Sequence, residues 1–286
     1  MSDVVELDRS FALDGHRLVY DSFGEGDEVV VYLHGLLLDS ELNRGIAASL
    51  AGHGRRVVLL DLLGHGRSDQ PRHASNYRID AYAEQVIALL DHLEVASAVV
   101  GGVSLGANVS LFAASEHPER IRGMVLEMPV LEWAVPAAAL TFAPLLLAAH
   151  YARRPMAALA RLAGKLPATP IGPLNSVVRS AAADPEVIAS VLHGILVGPV
   201  APTVEQREAI AAPTLILGHG HDLIHPFSDA ENLARQLPSA TLVRARSQLE
   251  LRAVPARLTK VIAQFVDATF AADPADPADS AQARAV

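Results

Sequence analysis

Ala98-Val99-Val100-Gly101-Gly102-Val103-Ser104-Leu105-Gly106-Ala107 runs from a short apolar strand, through a glycine-bounded turn, into a segment with helical character. Gly102-Val103-Ser104-Leu105-Gly106 fits G-x-S-x-G, a nucleophile-elbow pattern. The spacing has a chemical reason. A serine on a strained turn projects its hydroxyl alone above the sheet, and glycines two residues to either side keep other side chains from colliding there. The backbone N–H of Leu105, at the helix start, then faces any charge that develops on a bound oxygen. A short motif needs its context, because an ordinary strand-to-helix turn can carry the same letters. Here the strand before and the helix after supply that context.

Working outward, Val4 to Leu7 and Arg17 to Asp21 read as strands around a turn at Asp14-Gly15. Val29 to Leu33 and Arg56 to Leu60 are continuous apolar runs, as in strands buried on both faces. Helices are expected at Glu41 to Ala51, Asp80 to Leu93 and Leu105 to Glu116, with a strand at Ile121 to Leu126. This alternation predicts a mostly parallel sheet covered by helices. The rhythm breaks after Met128-Pro129. Residues 130–210 are rich in Ala, Leu and Pro and show no strand pattern, so they read as a helical cap or lid over the sheet. Strands at Thr214 to Leu217 and Thr241 to Arg244 follow, with helices at Ser228 to Gln236 and Pro255 to Phe270. The core is therefore expected over 1–129 and 211–271, with an Ala/Pro/Asp-rich disordered tail over 272–286.

Composition narrows the class. With 286 residues, 51% hydrophobic and 19% charged, the chain can bury a large core. Its net charge of -9 argues against nucleic-acid and anionic-membrane partners. There is no cysteine, which excludes disulfides, thiolate catalysis and Cys-based metal sites and suits a cytoplasmic location. Met1 to Glu6 has neither a basic start nor an apolar run, so no signal peptide is expected. The longest apolar stretch, Ala134 to Ala149, is interrupted by Pro136 and Pro144 and is short against the ~20 residues of a membrane span.

Four motifs fall at the carboxyl ends of the expected parallel strands, where open α/β sheets bind ligands. They are His34-Gly35, the loop Gly64-His65-Gly66-Arg67-Ser68-Asp69, the elbow at Ser104, and Asp222-Leu223-Ile224-His225-Pro226. Together, over about Leu18 to Phe270, they resemble the α/β-hydrolase superfamily, and its serine esterases in particular. The resemblance implies Ser104 as nucleophile, Asp222 as the acid, and the N–H groups of Leu36 and Leu105 as an oxyanion hole. Gly35 would let the backbone approach a substrate. His34 and His65 read better as loop organisers than as catalytic groups.

One departure stands out. The superfamily places its catalytic histidine after the last strand, and Arg244 to Pro255 contains none; Gln248 falls where it is expected. An amide has no useful basicity, and a positioned general base is worth roughly 10²–10⁴-fold in rate. Three readings stand. In the first, another histidine serves: His225, three residues after Asp222, leads His219, His221 and His193, since a triad is defined by geometry and not by chain order. In the second, Ser104 and Asp222 work with water, Gln248 or Glu250 in a slow enzyme. In the third, the protein is a non-hydrolytic binder or catalyst on the same scaffold.

His219, His221, Asp222 and His225 also invite a metal reading, but they lack the regular spacing of a ligand set. No cofactor or metal is expected. Trp133, Leu140, Phe142, Leu145, Leu146 and Leu147 in the cap suggest an apolar pocket wall, with Trp133 and Gln248 as substrate contacts. Glu127, after an apolar strand, reads as a capped loop carboxylate in preference to a cavity group. The expected function is hydrolysis of small hydrophobic carboxylic esters, by Ser104 with His225 as base. The implied partner is a small hydrophobic substrate, with no nucleic acid and no membrane span; the oligomeric state is open.

Overall fold

A computed structural model describes residues 5–52, 54–220 and 224–272. Strands β1 (Val5–Leu13), β2 (His16–Phe23), β3 (Val29–Leu33), β4 (Arg56–Asp61), β5 (Ala98–Val103), β6 (Ile121–Glu127), β7 (Thr214–Gly218) and β8 (Ala240–Arg244) form one sheet. Its order is β1-β2-β4-β3-β5-β6-β7-β8. The β1/β2 and β2/β4 pairs are antiparallel and all the others are parallel. Helices α1 (Arg44–Ala51), α2 (Ile79–His92) and α3 (Leu105–Glu116) alternate with the first strands. Between β6 and β7 come α4 (Val135–Tyr151), α5 (Arg153–Ala163), α6 (Gly172–Ala181), α7 (Pro185–Val197) and α8 (Val204–Glu208), with no strand among the described residues. Then α9 (Phe227–Gln236), α10 (Glu250–Ala253) and α11 (Ala256–Ala271) complete the described elements. This is the mostly parallel, helix-flanked sheet that the apolar runs predict. Every residue of β3 and β5 is buried, because helices cover both of their faces.

The topology positions the site. The chain runs from β3 outward to β4 and then returns to pair β5 on the other side of β3, so the strand order reverses there. A ligand crevice opens at such a reversal. Leu33 lies level with Gly102 in the β3/β5 register, which sets the loops after the two strands side by side.

Several expectations are corrected. The first hairpin is longer than its apolar core suggests. Pairing extends to Leu13↔His16 around Asp14 and Gly15, both with positive φ (49° and 80°), as a two-residue hairpin turn requires. The single helix expected over Glu41 to Ala51 is instead a 3₁₀ turn, Ser40–Asn43, followed by α1. The break has a local cause: Asp39 Oδ1 accepts from Glu41 N (3.1 Å), and the buried Asn43 amide donates to Leu33 O (3.2 Å). The segment with no expected element, Arg244 to Pro255, contains α10. Pro136 and Pro144 do not interrupt the apolar stretch either, since helical residues continue from Glu132 to Tyr151. Pro136 sits in the first turn, where its missing N–H costs nothing, and Pro144 is carried inside the helix. The expected tail lies outside the described residues from position 273 on.

The loops after β3 and β4 are fastened by buried polar groups. Arg67 donates to Asp61 Oδ2 (2.8 Å), Asp21 Oδ1 (2.6 Å), Asp8 Oδ1 (2.8 Å) and Ser40 Oγ (2.7 Å), which ties the hairpin to both loops. Asp61 and Asp21 are fully buried. Burial would raise the Asp61 carboxyl, but the Arg67 charge and hydrogen bonds bring it below its ordinary value. His34 Nδ1 donates to Gly35 O (2.9 Å) while its Nε2 accepts from Leu62 N (3.0 Å), so the ring is neutral and joins the two loops. His65 Nδ1 donates to Leu63 O (3.0 Å), and the two imidazoles lie 4.9 Å apart. Burial, with the neighbouring His34, pushes the His65 pKa down to about 3.

Two outcomes follow from this fastening. Arg67→Ala leaves the buried Asp61 without its cation, and should lower the unfolding free energy by about 3–5 kcal/mol in urea titrations. His65 binds a proton unfolded (near pH 6.5) that the folded protein refuses until about pH 3. Its contribution is therefore complete above pH 6.5 and lost as pH falls, at about 1.4 kcal/mol per pH unit. Denaturation at pH 7, 6 and 5 should show that slope, reduced by about one proton in His65→Gln.

Candidate functional site

The site begins with the turn from β5 to α3. Ser104 has φ 54° and ψ -109°, a strained conformation for a residue with a side chain. Its N–H donates to Glu127 O (2.8 Å) and its carbonyl accepts from Asn108 N (3.1 Å), so the backbone is held from both sides. The flanking glycines are needed sterically. A Cβ on Gly102 would lie 2.6 Å from Leu33 O and 2.9 Å from Gly106 Cα, and one on Gly106 would lie 2.7 Å from Leu33 Cβ. The elbow is thus pressed against the end of β3. Leu105 is the first residue of α3, where N–H groups have no partner within the helix.

His225 closes on this serine. It sits in the loop between β7 and α9, and its Nε2 is 2.8 Å from Ser104 Oγ. That is hydrogen-bond distance for an imidazole taking a proton from a hydroxyl. Asp222, the acid implied by the resemblance, lies outside the described residues, as does His221. His219 is buried in a different place, with Nε2 3.6 Å from Glu127 Oε1, and burial lowers its pKa. His193 lines a separate cavity with His73 and His150. At the start of α9, burial raises the Asp229 carboxyl above its ordinary value, and its Oδ2 accepts from Leu131 N (2.7 Å).

Beside Ser104 lies a cavity of about 160 Å3. Leu36, Ser104, Leu105, Asn108 and Ile224 line it from the core, and Val135, Ala138, Phe142, Leu192 and Leu196 line it from the helices between β6 and β7. Leu36 and Leu105 therefore border the same cavity as Ser104. Gly35 is buried, but a Cβ there would make only ordinary contacts with Leu38 and Val103, so packing within the protein does not demand glycine. Trp133 does not wall this cavity: it is 80% exposed on the outside of the helical segment, and Phe142 faces inward in its place. Gln248 is exposed in the turn before α10 and is not among the cavity's lining residues. Glu250, the other non-histidine partner weighed for Ser104, is instead bound by Arg257 Nε (2.7 Å), which holds its carboxyl down to about 2.

The floor of the site was not legible from local sequence. Glu127 is neither a loop group nor a cavity group: it is the fully buried last residue of β6. Arg252 Nη1 lies 2.5 Å from both of its carboxylate oxygens, Tyr32 Oη donates to it (3.3 Å), and Arg252 Nη2 reaches Asn43 Oδ1 (2.9 Å). The segment that lacks a histidine thus supplies the arginine that holds the carboxylate beneath Ser104. Asn108 was missed as well. Its amide donates to Val130 O (2.7 Å) and Val200 O (2.5 Å) and accepts from Val130 N (3.0 Å), clamping both ends of the helical segment to α3. The signal available was a lone amide on an otherwise apolar helix.

Comparison with known proteins places the fold in a family. A non-heme chloroperoxidase of Streptomyces lividans is 35% identical over 115 residues, 40% of this chain and 41% of that protein. The match thus spans about 41% of that curated relative's length. Among solved structures, the enol-lactonase of Burkholderia xenovorans LB400 superposes with TM-score 0.73 at 23% identity, covering 91% of this chain and 100% of that one. A thermophilic esterase of Thermogutta terrifontis gives 0.70 at 22% identity, covering 94% and 99%. Likeness at these identities shows a common fold. The family model described as alpha/beta hydrolase fold matches residues 28–247, most of the chain, and the protein belongs to that family.

Proposed function

We propose that the protein is a serine hydrolase of small, hydrophobic carboxylic esters. The observation that carries this reading is the 2.8 Å contact between His225 Nε2 and Ser104 Oγ. His225 takes the Ser104 proton as the hydroxyl attacks the acyl carbonyl. The N–H groups of Leu36 and Leu105 receive the oxyanion, as preorganised donors whose loss typically costs 10²–10³-fold. His225 then gives its proton to the departing alcohol, and a water activated by the same ring releases the acid from the acyl-enzyme. Asp222 is assigned the orienting role on the resemblance alone.

The cavity supports the substrate class. Its walls are mostly aliphatic, and about 160 Å3 is below the ~300–1,000 Å3 of drug-sized ligand sites. A short acyl group fits that space, and a charged or sugar-like group would lose its hydration without compensation. The readings in which Ser104 lacks a base are disfavoured by the imidazole beside it.

On p-nitrophenyl butyrate, Ser104→Ala should remove turnover and the acyl-enzyme burst, and a fluorophosphonate should label Ser104 in the unaltered protein only. His225→Ala should lower kcat by roughly 10²–10⁴-fold with little change in KM. His219→Ala should leave kcat within about tenfold of the parent. Equal kcat for His225→Ala and the parent would refute the assignment of the base.

A further inference from the structure

The helical segment between β6 and β7 has two unlike faces. On α4, Val135, Ala138 and Phe142 point inward and line the Ser104 cavity. The opposite stripe, at steps of three and four residues, is Trp133, Pro136, Leu140, Pro144, Leu147 and Tyr151, and all six are exposed. Leu140 is 78% and Tyr151 81% exposed. A helix covering a soluble core normally carries polar residues on that stripe. Contiguous exposed apolar surface marks a site of interaction.

Charge says what covers it. From Trp133 to Ala183 there are five basic residues (Arg153, Arg154, Arg161, Lys165 and Arg179) and no acidic one, although the chain carries -9 overall. The whole acidic excess therefore lies elsewhere. Arg153 pairs with Glu186, and Arg179 with Asp39 and Glu41. Arg154, Arg161 and Lys165 form no ion pair with any described residue. They are exposed, four or seven residues apart along one side of α5 and its end. Beside them, Leu159, Leu162 and Leu166 are exposed too. Met156 of α5 and Phe142, Leu145 and Leu146 of α4 pack against the same buried cluster of Ala149, Ile188 and Leu192, so both helices turn their exposed stripes away from it. Leucine and aromatic side chains flanked by unpaired cations are what an interfacial helix presents to lipid.

We infer that the outer face of α4 and α5 docks the protein peripherally on an anionic lipid surface, with the apolar stripe among the acyl chains and Arg154, Arg161 and Lys165 at the headgroups. A second copy is a poorer occupant. A closed two-fold pairing of this face would offer these cations no carboxylate from the facing segment, which has none between Trp133 and Ala183. The inference does not depend on the proposed reaction, because docking needs no catalysis.

Flotation with vesicles tests it, using the full chain. Phosphatidylcholine vesicles with about 30% phosphatidylglycerol should carry the protein up the gradient in low salt. Partition should fall at least about tenfold on phosphatidylcholine alone or at about 0.5 M salt. Leu140→Glu/Leu147→Glu and, separately, Arg154→Glu/Arg161→Glu should each abolish flotation while leaving esterase turnover and the circular dichroism spectrum unchanged. The arginine pair is exposed, so it serves if the leucine pair fails to fold. Light scattering without lipid should report a monomer. No flotation, flotation equal on neutral vesicles, flotation retained by both variants, or a lipid-free dimer lost in Leu140→Glu/Leu147→Glu would each overturn the inference. Ser104→Ala should float like the parent, which separates failure here from failure of the proposed chemistry.

Discussion

The constraint on which the site depends is the close approach of the β5–α3 turn to the end of β3. Gly102 and Gly106 touch Leu33 and one another where a Cβ would overlap, and Ser104 is held at positive φ between Glu127 O and Asn108 N. Such strain persists only where the surroundings over-determine it. Here the surroundings are the parallel ladder on both sides of β5 and the first turn of α3. One consequence is chemical: the hydroxyl leaves the sheet alone, beside the open N–H of Leu105. The other is architectural: the loop after β3, with Leu36, is forced to be its neighbour.

Under this turn lies a carboxylate that cannot stand alone. An unpaired buried charge costs several kcal/mol, and breaking a buried pair typically costs 3–5 kcal/mol. Glu127 is fully buried and meets Arg252 in a two-oxygen contact, with Tyr32 and Asn43 completing the network. Burial and the Glu127 charge hold the Tyr32 hydroxyl protonated, so it remains a donor. Because the Glu127 carbonyl also accepts from Ser104 N, the ion pair fixes the backbone that presents the Ser104 hydroxyl. The last loop thus has a structural duty toward Ser104, and the imidazole that touches Oγ comes from the loop before α9.

What could be read from sequence was what repeats or what sterics forbid. Continuous apolar runs marked β3, β4 and β5, and the glycine spacing marked the elbow. The chain position of His225 made it the leading imidazole for Ser104, although its distance required three dimensions. Long-range pairing was illegible. Glu127 and Arg252 are 125 residues apart, and any of many arginines could have met that carboxylate. Asn43 and Asn108 resemble surface amides until their carbonyl partners are known. Trp133 was misplaced for a related reason: an apolar helix gives no phase for which stripe faces inward when almost every position is apolar.

That ambiguity in α4 has a physical meaning. A helix polar on one side and apolar on the other needs only a core, whereas a helix apolar all round needs two apolar environments. The first is supplied by the cavity beside Ser104 and by α7. The second is not supplied by the described residues, among which only 11% of the most apolar stretch of Glu132–Tyr151 is buried. Whole-chain charge averages a basic, acid-free segment with an acidic remainder. Charge acts over a Debye length of about 10 Å and not over a whole molecule, so the sign that matters is the sign of the face presented. On α4 that face is the back of the wall that lines the cavity beside Ser104.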